Sequence, residues 1–338
     1  MKWFFRTLII LNILVALFTT GGYLASYLHP ERSTVIQSIG LFMPWLLLGN
    51  IVFFFFWITM RRKWWWLSLS VLLLGISQIG RFVGFHFKQE THSDQFIVCS
   101  YNSKSYNESN RLETFLDEIN GQFDINILCL QEISENHLPL LKNSSNLKHT
   151  HFHRGKMILT NYPIVAQGNL QFDNSVNGCL WVDLKSGEDI MRVYNVHLHS
   201  NRITREAETI MNNIYSDKAQ AWTKIRHMVA NYQLASVERT TQVIKILEHV
   251  DACQYPVLLV GDLNDTPFSY TYQQFSDRFQ DVFRIKGLGF GSTYAGALPG
   301  LKIDYIFVDE RFEALSHQIL RTKISDHFPV LSFLKLKD

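Results

Sequence analysis

Acidic residues are almost missing from the first quarter of the chain. Residues 1–88 hold eight Lys/Arg (Lys2, Arg6, Arg32, Arg61, Arg62, Lys63, Arg81, Lys88) and one acid, Glu31, a net +7 hidden inside an overall +2. The rest carries 24 bases and 29 acids, a net −5. Charged residues are sparse, at 18%, and hydrophobic residues reach 47%, which excludes intrinsic disorder. No low-complexity tract or repeat of solenoid period occurs, which argues against a repeat architecture. Cysteine is scarce, and Cys99, Cys129, Cys179 and Cys253 form no Cys-x-x-Cys pair, which argues against a zinc site.

Apolar runs fill the acid-poor segment. Thr7 to Leu28 is 22 residues without a charge, and Val35 to Met60 is another 26, interrupted by Pro44. Either exceeds the roughly 20 residues that cross a ~30 Å hydrocarbon core. A third run, Trp64 to Gly80, has 17 residues and reaches 24 if Arg81 snorkels and Phe82 to Phe87 are included. Trp64-Trp65-Trp66 fits an interfacial aromatic belt. Three transmembrane helices are predicted over about 7–28, 35–60 and 64–87, with an interfacial helix as the alternative for the third. A cleaved signal peptide fits the first run poorly, because its apolar core is long and no small-x-small site clearly follows.

With three spans, five Lys/Arg (Lys2, Arg6, Arg61, Arg62, Lys63) share one side and three (Arg32, Arg81, Lys88) the other. The five-charge side is then cytoplasmic, and the domain that follows is extracytoplasmic. With two spans that domain would be cytoplasmic.

Residues 89–338 read as a separate α/β or α+β domain. Short apolar runs at Phe96, Ile125, Met191, Pro256, Asp304 and Phe328 have the length and composition of buried strands. Leu112, Phe115, Leu116 and Ile119 recur at helical spacing, giving a helix from Asn110 to Asn120-Gly121, and 203–250 is largely helical in pattern. Polar residues gather at the strand ends: Asn102, Gln131-Glu132, His197-Leu-His199 and Gly261-Asp-Leu-Asn264. Asp304 opens its strand, and Ser325-Asp326-His327 precedes the last one. Antiparallel strands would bring all of these to one rim. Carboxylates crowded there repel one another unless a cation sits among them, and oxygen donors with few thiols suit Mg²⁺, Mn²⁺ or Ca²⁺.

The ordered set Asn, Gln-Glu, Asn-x-His-Leu, Gly-Asp-x-Asn, Asp-Tyr-Ile and Ser-Asp-His-x-Pro-Val resembles the endonuclease/exonuclease/phosphatase superfamily, the fold of deoxyribonuclease I, over about residues 94–337. Gly155-Lys-Met-Ile-Leu-Thr-Asn-Tyr-Pro-Ile164 adds a further likeness. The resemblance implies a four-layered α-β-β-α sandwich of two mixed sheets, and hydrolysis of a phosphodiester or phosphomonoester by in-line attack of water. It implies a metal, Mg²⁺ or Mn²⁺ ahead of Ca²⁺, held by Glu132, Asn102 and Asp326. Asp262 would activate the water, helped by Asn264. His327, oriented by Asp304, would contact the phosphate, as would Asn102 and Asn264. His197 would stabilise or protonate the leaving group. A lipid head group or small phosphoester is the favoured substrate, DNA or RNA the alternative, and a dead, tethered binding protein the alternative of another class. The bilayer is an expected partner, and no obligate protein partner is evident.

Four features stay outside that set. His149, His151 and His153 alternate as solvated strand-face residues or a metal cluster. Thr293-Tyr294 lies in a Gly-rich loop that either contacts substrate or does not. Arg202 and Arg239 either reach a phosphate or are solvated. Cys99 and Cys129 each lie three residues before a rim residue, which would set them level on adjacent strands as buried thiols or, outside the cytoplasm, a disulfide.

Overall fold

The computed structural model describes residues 2–87, 94–105, 109–172, 177–200, 218–296, 298 and 300–337. Arg202 lies outside these residues. The acid-poor segment is helical: α1 (Lys2–Leu24), α2 (Thr34–Leu41), α3 (Met43–Thr59), α4 (Trp65–Leu74) and α5 (Ile76–Ile79). By length and composition α1 is long and apolar enough to cross a membrane. The second run is a pair, α2 and α3, bent by 68°. Pro44 sits in the first turn of α3, where its missing N–H is harmless but its ring opposes a straight continuation from α2.

The third run departs from the expected helix over 64–87. It breaks at Gly75, α5 ends at Ile79, and Val83–Phe85 is a strand, β1. Arg81 does not snorkel. It is buried, and its guanidinium donates to Pro267 O (3.2 Å) and Gln273 Oε1 (2.7 Å). Two protein acceptors and the Tyr272 ring, 5.1 Å away, receive the charge there, and β1 pairs antiparallel with β11 (Leu288–Phe290).

Polar residues lock the helices together. Asn12 Nδ2 donates to Ser68 Oγ (2.9 Å), and Trp57 Nε1 donates to Asn12 Oδ1 (2.9 Å). Asn50 Nδ2 donates to Thr19 Oγ1 (2.7 Å), and Gln78 Nε2 to Tyr23 O (3.2 Å). All of these side chains are buried, whereas Ile10, Leu14, Leu17, Phe18, Leu48, Val52, Phe55 and Leu73 are exposed.

Two six-stranded mixed sheets build the remaining domain. One has the order β10 (Gln280–Asp281), β12 (Asp304–Val308), β9 (Val257–Asp262), β8 (Asp189–His197), β7 (Gly178–Ser186), β6 (Ile164–Gln171). The other has β13 (Phe312–Ile319), β14 (Val330–Leu336), β2 (Phe96–Ser105), β3 (Ile127–Ile133), β5 (Lys156–Thr160), β4 (His149–His153). The pairs β8–β9 and β2–β3 are parallel, and the other pairs are antiparallel.

Their inner faces meet through Val98, Ile127, Cys129 and Ile158 on one side and Leu180, Val193, Val260 and Ile306 on the other. Helix Ser109–Asn120 covers one outer face with Leu112, Phe115, Leu116 and Ile119. Helix Lys218–Asp251 covers the other with Val243, Ile246 and Val250. This is the expected α-β-β-α sandwich, in which each helix stripe buries against one sheet face.

The cysteines are not level. Cys99 pairs with Leu128, and Ser100 with Cys129. One residue of offset sends the two thiols to opposite faces. Cys99 lies under the outer helix and Cys129 between the sheets, and both are free.

The helical segment and the sandwich share buried contacts. Phe268 is fully buried in a cluster with Ala16, Tyr23, Met43, Leu47 and Val71. A Cβ on Gly40 would sit 3.2 Å from Phe268 O, so this approach suits glycine. Leu41 clusters with Tyr232, Tyr294, Leu301 and Ile303. Lys302 Nζ donates to Arg81 O (3.1 Å) and to Asp281 (2.6 Å).

Candidate active site

Strand register assembles the rim. On β9, Asp262 lies opposite His197 on one side and Asp304 on the other. The preceding Gly261 has φ +139°, and a Cβ there would lie 2.0 Å from Val196 O, so the tight approach of β8 to β9 requires glycine. On β2 and β3, Asn102 pairs with Gln131, which carries Glu132 one residue past the regular ladder. Glu132 and Asn264 are non-glycine residues at positive φ (+53° and +52°). Such conformations cost roughly 1–3 kcal/mol and cluster at functional sites.

Seven of the eight expected residues form one connected group. Asn102 Nδ2 donates to Glu132 Oε1 (3.2 Å) and Asp262 Oδ2 (3.0 Å). Asn264 N donates to Asp262 Oδ1 (2.7 Å), and its side-chain amide to Leu198 O (3.0 Å). His197 Nε2 lies 3.8 Å from both Glu132 and Asp262. Asp304 and His327 pair through His327 Nδ1 at 3.0 Å, which leaves Nε2 3.9 Å from Asp262. Asp326 joins less directly: Ser325 Oγ donates to Asn102 O (3.0 Å), while Asp326 contacts Lys104 Nζ (2.6 Å). Among the described residues, Asp262, Asp304 and His327 are a group of ligand atoms close enough to share an ion.

Burial sets the protonation. It raises the Asp262 carboxyl, reinforced by Asp304 and opposed by His327. Burial pulls the His327 imidazole down, but Asp304 and Asp262 outweigh it and hold the ring above its usual range. Burial, with Lys156 and His327 nearby, brings His197 down to about 3, so it is neutral near pH 7. Burial pushes Asp326 up, yet His327 and Lys104 outweigh it and the carboxyl sits below its usual range.

Some supporting residues escape a sequence reading. Gln131 Nε2 donates to Asn195 Oδ1 (2.7 Å), and Asn195 Nδ2 to Leu130 O and Met157 O (2.9 Å each), a cross-link between the sheets beneath the rim. Motif position marks Gln131 and Asn195, but only the sandwich makes them meet. Lys104 carries no motif signal. Thr293 acts through its Oγ1, which accepts from Ile303 N and Asp304 N (3.0 Å each), while the Tyr294 ring stands edge-on to His327 at 5.5 Å. Arg239 is neither solvated nor on the rim. It is fully buried, and its Nε donates to Asp265 (3.0 Å). His149, His151 and His153 are half-buried on β4, at the sheet edge, and the His151 ring bonds Gly168 O (3.2 Å).

Solved structures share this architecture. A functionally unknown conserved protein from Enterococcus faecalis is 19% identical, with a TM-score of 0.53 over 72% of this chain and 100% of that one. A mannosyl-6-phosphatase from Bacteroides thetaiotaomicron is 18% identical, with a TM-score of 0.53 over 71% and 99%. The human Nocturnin catalytic domain is 14% identical, with a TM-score of 0.53 over 74% and 97%. At these identities the likeness is one of fold. No curated protein matches the chain. Residues 5–82 match a domain of unknown function, DUF8431. Residues 99–327 match the Endonuclease/Exonuclease/phosphatase family. Since that match spans most of the chain, the protein belongs to this family, whose members are typically metal-dependent hydrolases of phosphoesters.

Proposed function

We propose that the chain is a membrane-anchored, divalent-metal-dependent phosphoesterase acting on a lipid head group or another small phosphoester. The observation that carries this reading is the connected rim of Asn102, Glu132, His197, Asp262, Asp304 and His327.

The donor set fits a hard cation. It consists of carboxylate and amide oxygens, Asp326 already attracts the Lys104 ammonium, and the buried His197 Nε2 beside them has no hydrogen-bond partner among the described residues. Glu132, Asn102 and Asp326 would hold Mg²⁺ or Mn²⁺. When bound, the ion supplies Lewis-acid polarisation of a phosphoryl oxygen and offsets its charge.

The chain's own groups do the rest. Asp262 orients the attacking water and accepts its proton, and its raised pKa brings it nearer to neutral pH, where a base works best. Asn264 turns its amide to a phosphate oxygen. His327, kept cationic by Asp304, donates from Nε2 to the phosphate. His197 is neutral, so it stabilises the leaving oxygen by a hydrogen bond; as a proton donor it would have to be charged.

Two features support anchoring. Polar side chains are buried and apolar ones exposed across α1 to α5, the reverse of a water-soluble bundle. Arg62 lies 5.1 Å over the Phe5 ring, so the basic turn Arg61-Arg62-Lys63 meets the basic start of α1, at the end away from the sandwich. With that end cytoplasmic, the catalytic domain is extracytoplasmic. The net −5 of residues 89–338 disfavours long DNA, whose binding draws on Lys/Arg neutralising phosphates. The test is a panel assay of the full chain in liposomes with Mg²⁺ or Mn²⁺. We expect turnover of lipid or small phosphoesters to exceed that of plasmid and single-stranded DNA. Efficient DNA cleavage without lipid or small-ester turnover overturns the substrate reading.

A further inference from the structure

Strands β1 and β11 form a two-stranded ribbon with the register Val83 to Phe290, Gly84 to Gly289 and Phe85 to Leu288. Side chains directly opposite in a ladder share a face, and alternate residues along a strand return to it. One face therefore carries Val83, Phe85, Leu288 and Phe290, with Phe87 in line beyond. Phe85 is 68% exposed, Phe87 80%, Leu288 50% and Phe290 66%. The other face is glycine at both central positions. An isolated two-stranded ribbon is marginal in water, and contiguous exposed apolar side chains mark an interaction surface.

Position and charge identify the partner. The ribbon starts four residues after α5, the last helix of the proposed membrane segment, and the Phe82 ring lies tilted against that of Phe290 with centroids 6.2 Å apart. Segments 82–87 and 282–293 contain no Asp or Glu but carry Arg284 and Lys286, and Arg321 donates to Ser292 O and Phe290 O. Arg284 also donates to Ser77 Oγ at the end of the bundle (3.3 Å). Aromatic side chains flanked by bases suit the interfacial layer of a bilayer, where amphipathic rings sit at head-group level and bases meet lipid phosphates.

From this we infer that the β1–β11 ribbon rests in the head-group layer of the membrane that holds α1 to α5, as a second, interfacial contact. The inference depends on the anchoring reading above. It has a consequence for the rim: Arg321 lies 5.1 Å over Phe328, the neighbour of His327, and Tyr294 bridges to His327 four residues after Phe290. The ribbon would bring the His327 side of the rim to head-group level, where a lipid phosphoester lies.

The test uses the full chain in phosphatidylcholine vesicles containing phosphatidylglycerol, with Cys253→Ser to remove the partly exposed native thiol. A nitroxide is attached in turn at Leu288→Cys, Phe290→Cys, Val165→Cys and Leu17→Cys, all at exposed positions. Collision with oxygen, which concentrates in lipid, is compared with collision with a water-soluble nickel complex. We expect the oxygen-to-nickel ratio at 288 and 290 to stand several-fold above that at 165 and to approach that at 17. Ratios at 288 and 290 equal to 165, with 17 still lipid-like, overturn the ribbon alone. A water-like ratio at 17 overturns the anchoring reading and the ribbon with it. Dipolar coupling between labels at 288, lost on dilution with unlabelled chain, would assign the face to a second copy and overturn the lipid contact.

Discussion

Asn12 and Arg239 are both fully buried polar side chains, and they sit in opposite surroundings. Asn12 lies inside a bundle whose outer surface is Leu, Ile, Val and Phe. Its partners are neutral, Ser68 and Trp57. Arg239 lies in a domain whose sheets bury Val, Ile and Leu against each other, and its partner is the carboxylate of Asp265. In the bundle, neutral polar groups are what hold otherwise featureless apolar helices in register. In the sandwich, apolar packing holds the layers, and buried charge is carried by the rim and by close ion pairs such as Arg239–Asp265, Lys302–Asp281 and Arg192–Asp183. The contrast marks a change of solvent along one chain, and the boundary runs through Arg81, Gly40 and Phe268.

The largest effect should come from the sandwich side. Arg239→Ala leaves Asp265 buried without its partner, which costs about 3–5 kcal/mol in comparable pairs. Thermal unfolding in detergent would show a large fall, with Tyr232 OH, which donates to Asp265 Oδ1 at 2.8 Å, unable to compensate for the lost charge. A midpoint unchanged from wild type would break the contrast. Next comes Asp262→Asn, which removes the proposed base and, having a single acceptor oxygen, keeps only one of the two bonds accepted from Asn102 Nδ2 and Asn264 N. Turnover should fall about 100- to 10,000-fold with the fold kept by circular dichroism, as measured in single-turnover assays; near-wild-type rates would remove Asp262 from the chemistry.

The sequence announced the strand ends well. Short apolar runs closed by Asn102, Glu132, His197 and Asp262 can be read because a rim needs polar residues where buried strands stop. The helix from Asn110 was legible to within one residue, as Ser109–Asn120. What stayed hidden depends on register and on docking. Counting back from Asn102 and Glu132 put Cys99 level with Cys129, but Asn102 pairs with Gln131, and no composition signal reports a one-residue offset. Snorkelling of Arg81 is a condition of the longer third span by sequence alone, because its acceptors, Pro267 and Gln273, lie nearly 200 positions away. Arg239 looked like any surface arginine of an amphipathic helix for the same reason: Asp265 meets it only in three dimensions.

A smaller effect sharpens the contrast through pH. His317 is buried in the sandwich and shares a hydrogen bond with Ser332 (2.9 Å); burial, with Lys302 nearby, brings its pKa down to about 3. Unfolding returns it to about 6.5, so between these values the unfolded chain binds the extra proton. Its contribution is complete above about pH 6.5 and is lost as pH falls toward 3, by up to about 1.4 kcal/mol per pH unit. Acid titration of the unfolding midpoint should be shallower in His317→Asn; parallel curves would show that the ring is solvated. The smallest effect is expected in the bundle. Asn12→Leu removes two neutral hydrogen bonds, and such bonds in membrane proteins average about 0.6 kcal/mol. A shift as large as that of Arg239→Ala, measured by the same unfolding assay, would mean that the two interiors are equally intolerant and that the contrast is false.

The central claim is that the rim is a metal-dependent phosphoesterase site organised around Glu132. The most direct measurement is hydrolysis by the full chain in liposomes after chelation, after return of Mg²⁺ or Mn²⁺, and with Glu132→Gln under the same conditions. Chelation should abolish turnover and the metal restore it, while Glu132→Gln, unchanged in fold by circular dichroism, should lose at least about 100-fold at the same metal concentration. Full activity in the presence of chelator, together with a Glu132→Gln variant as fast as the wild type, would contradict the account.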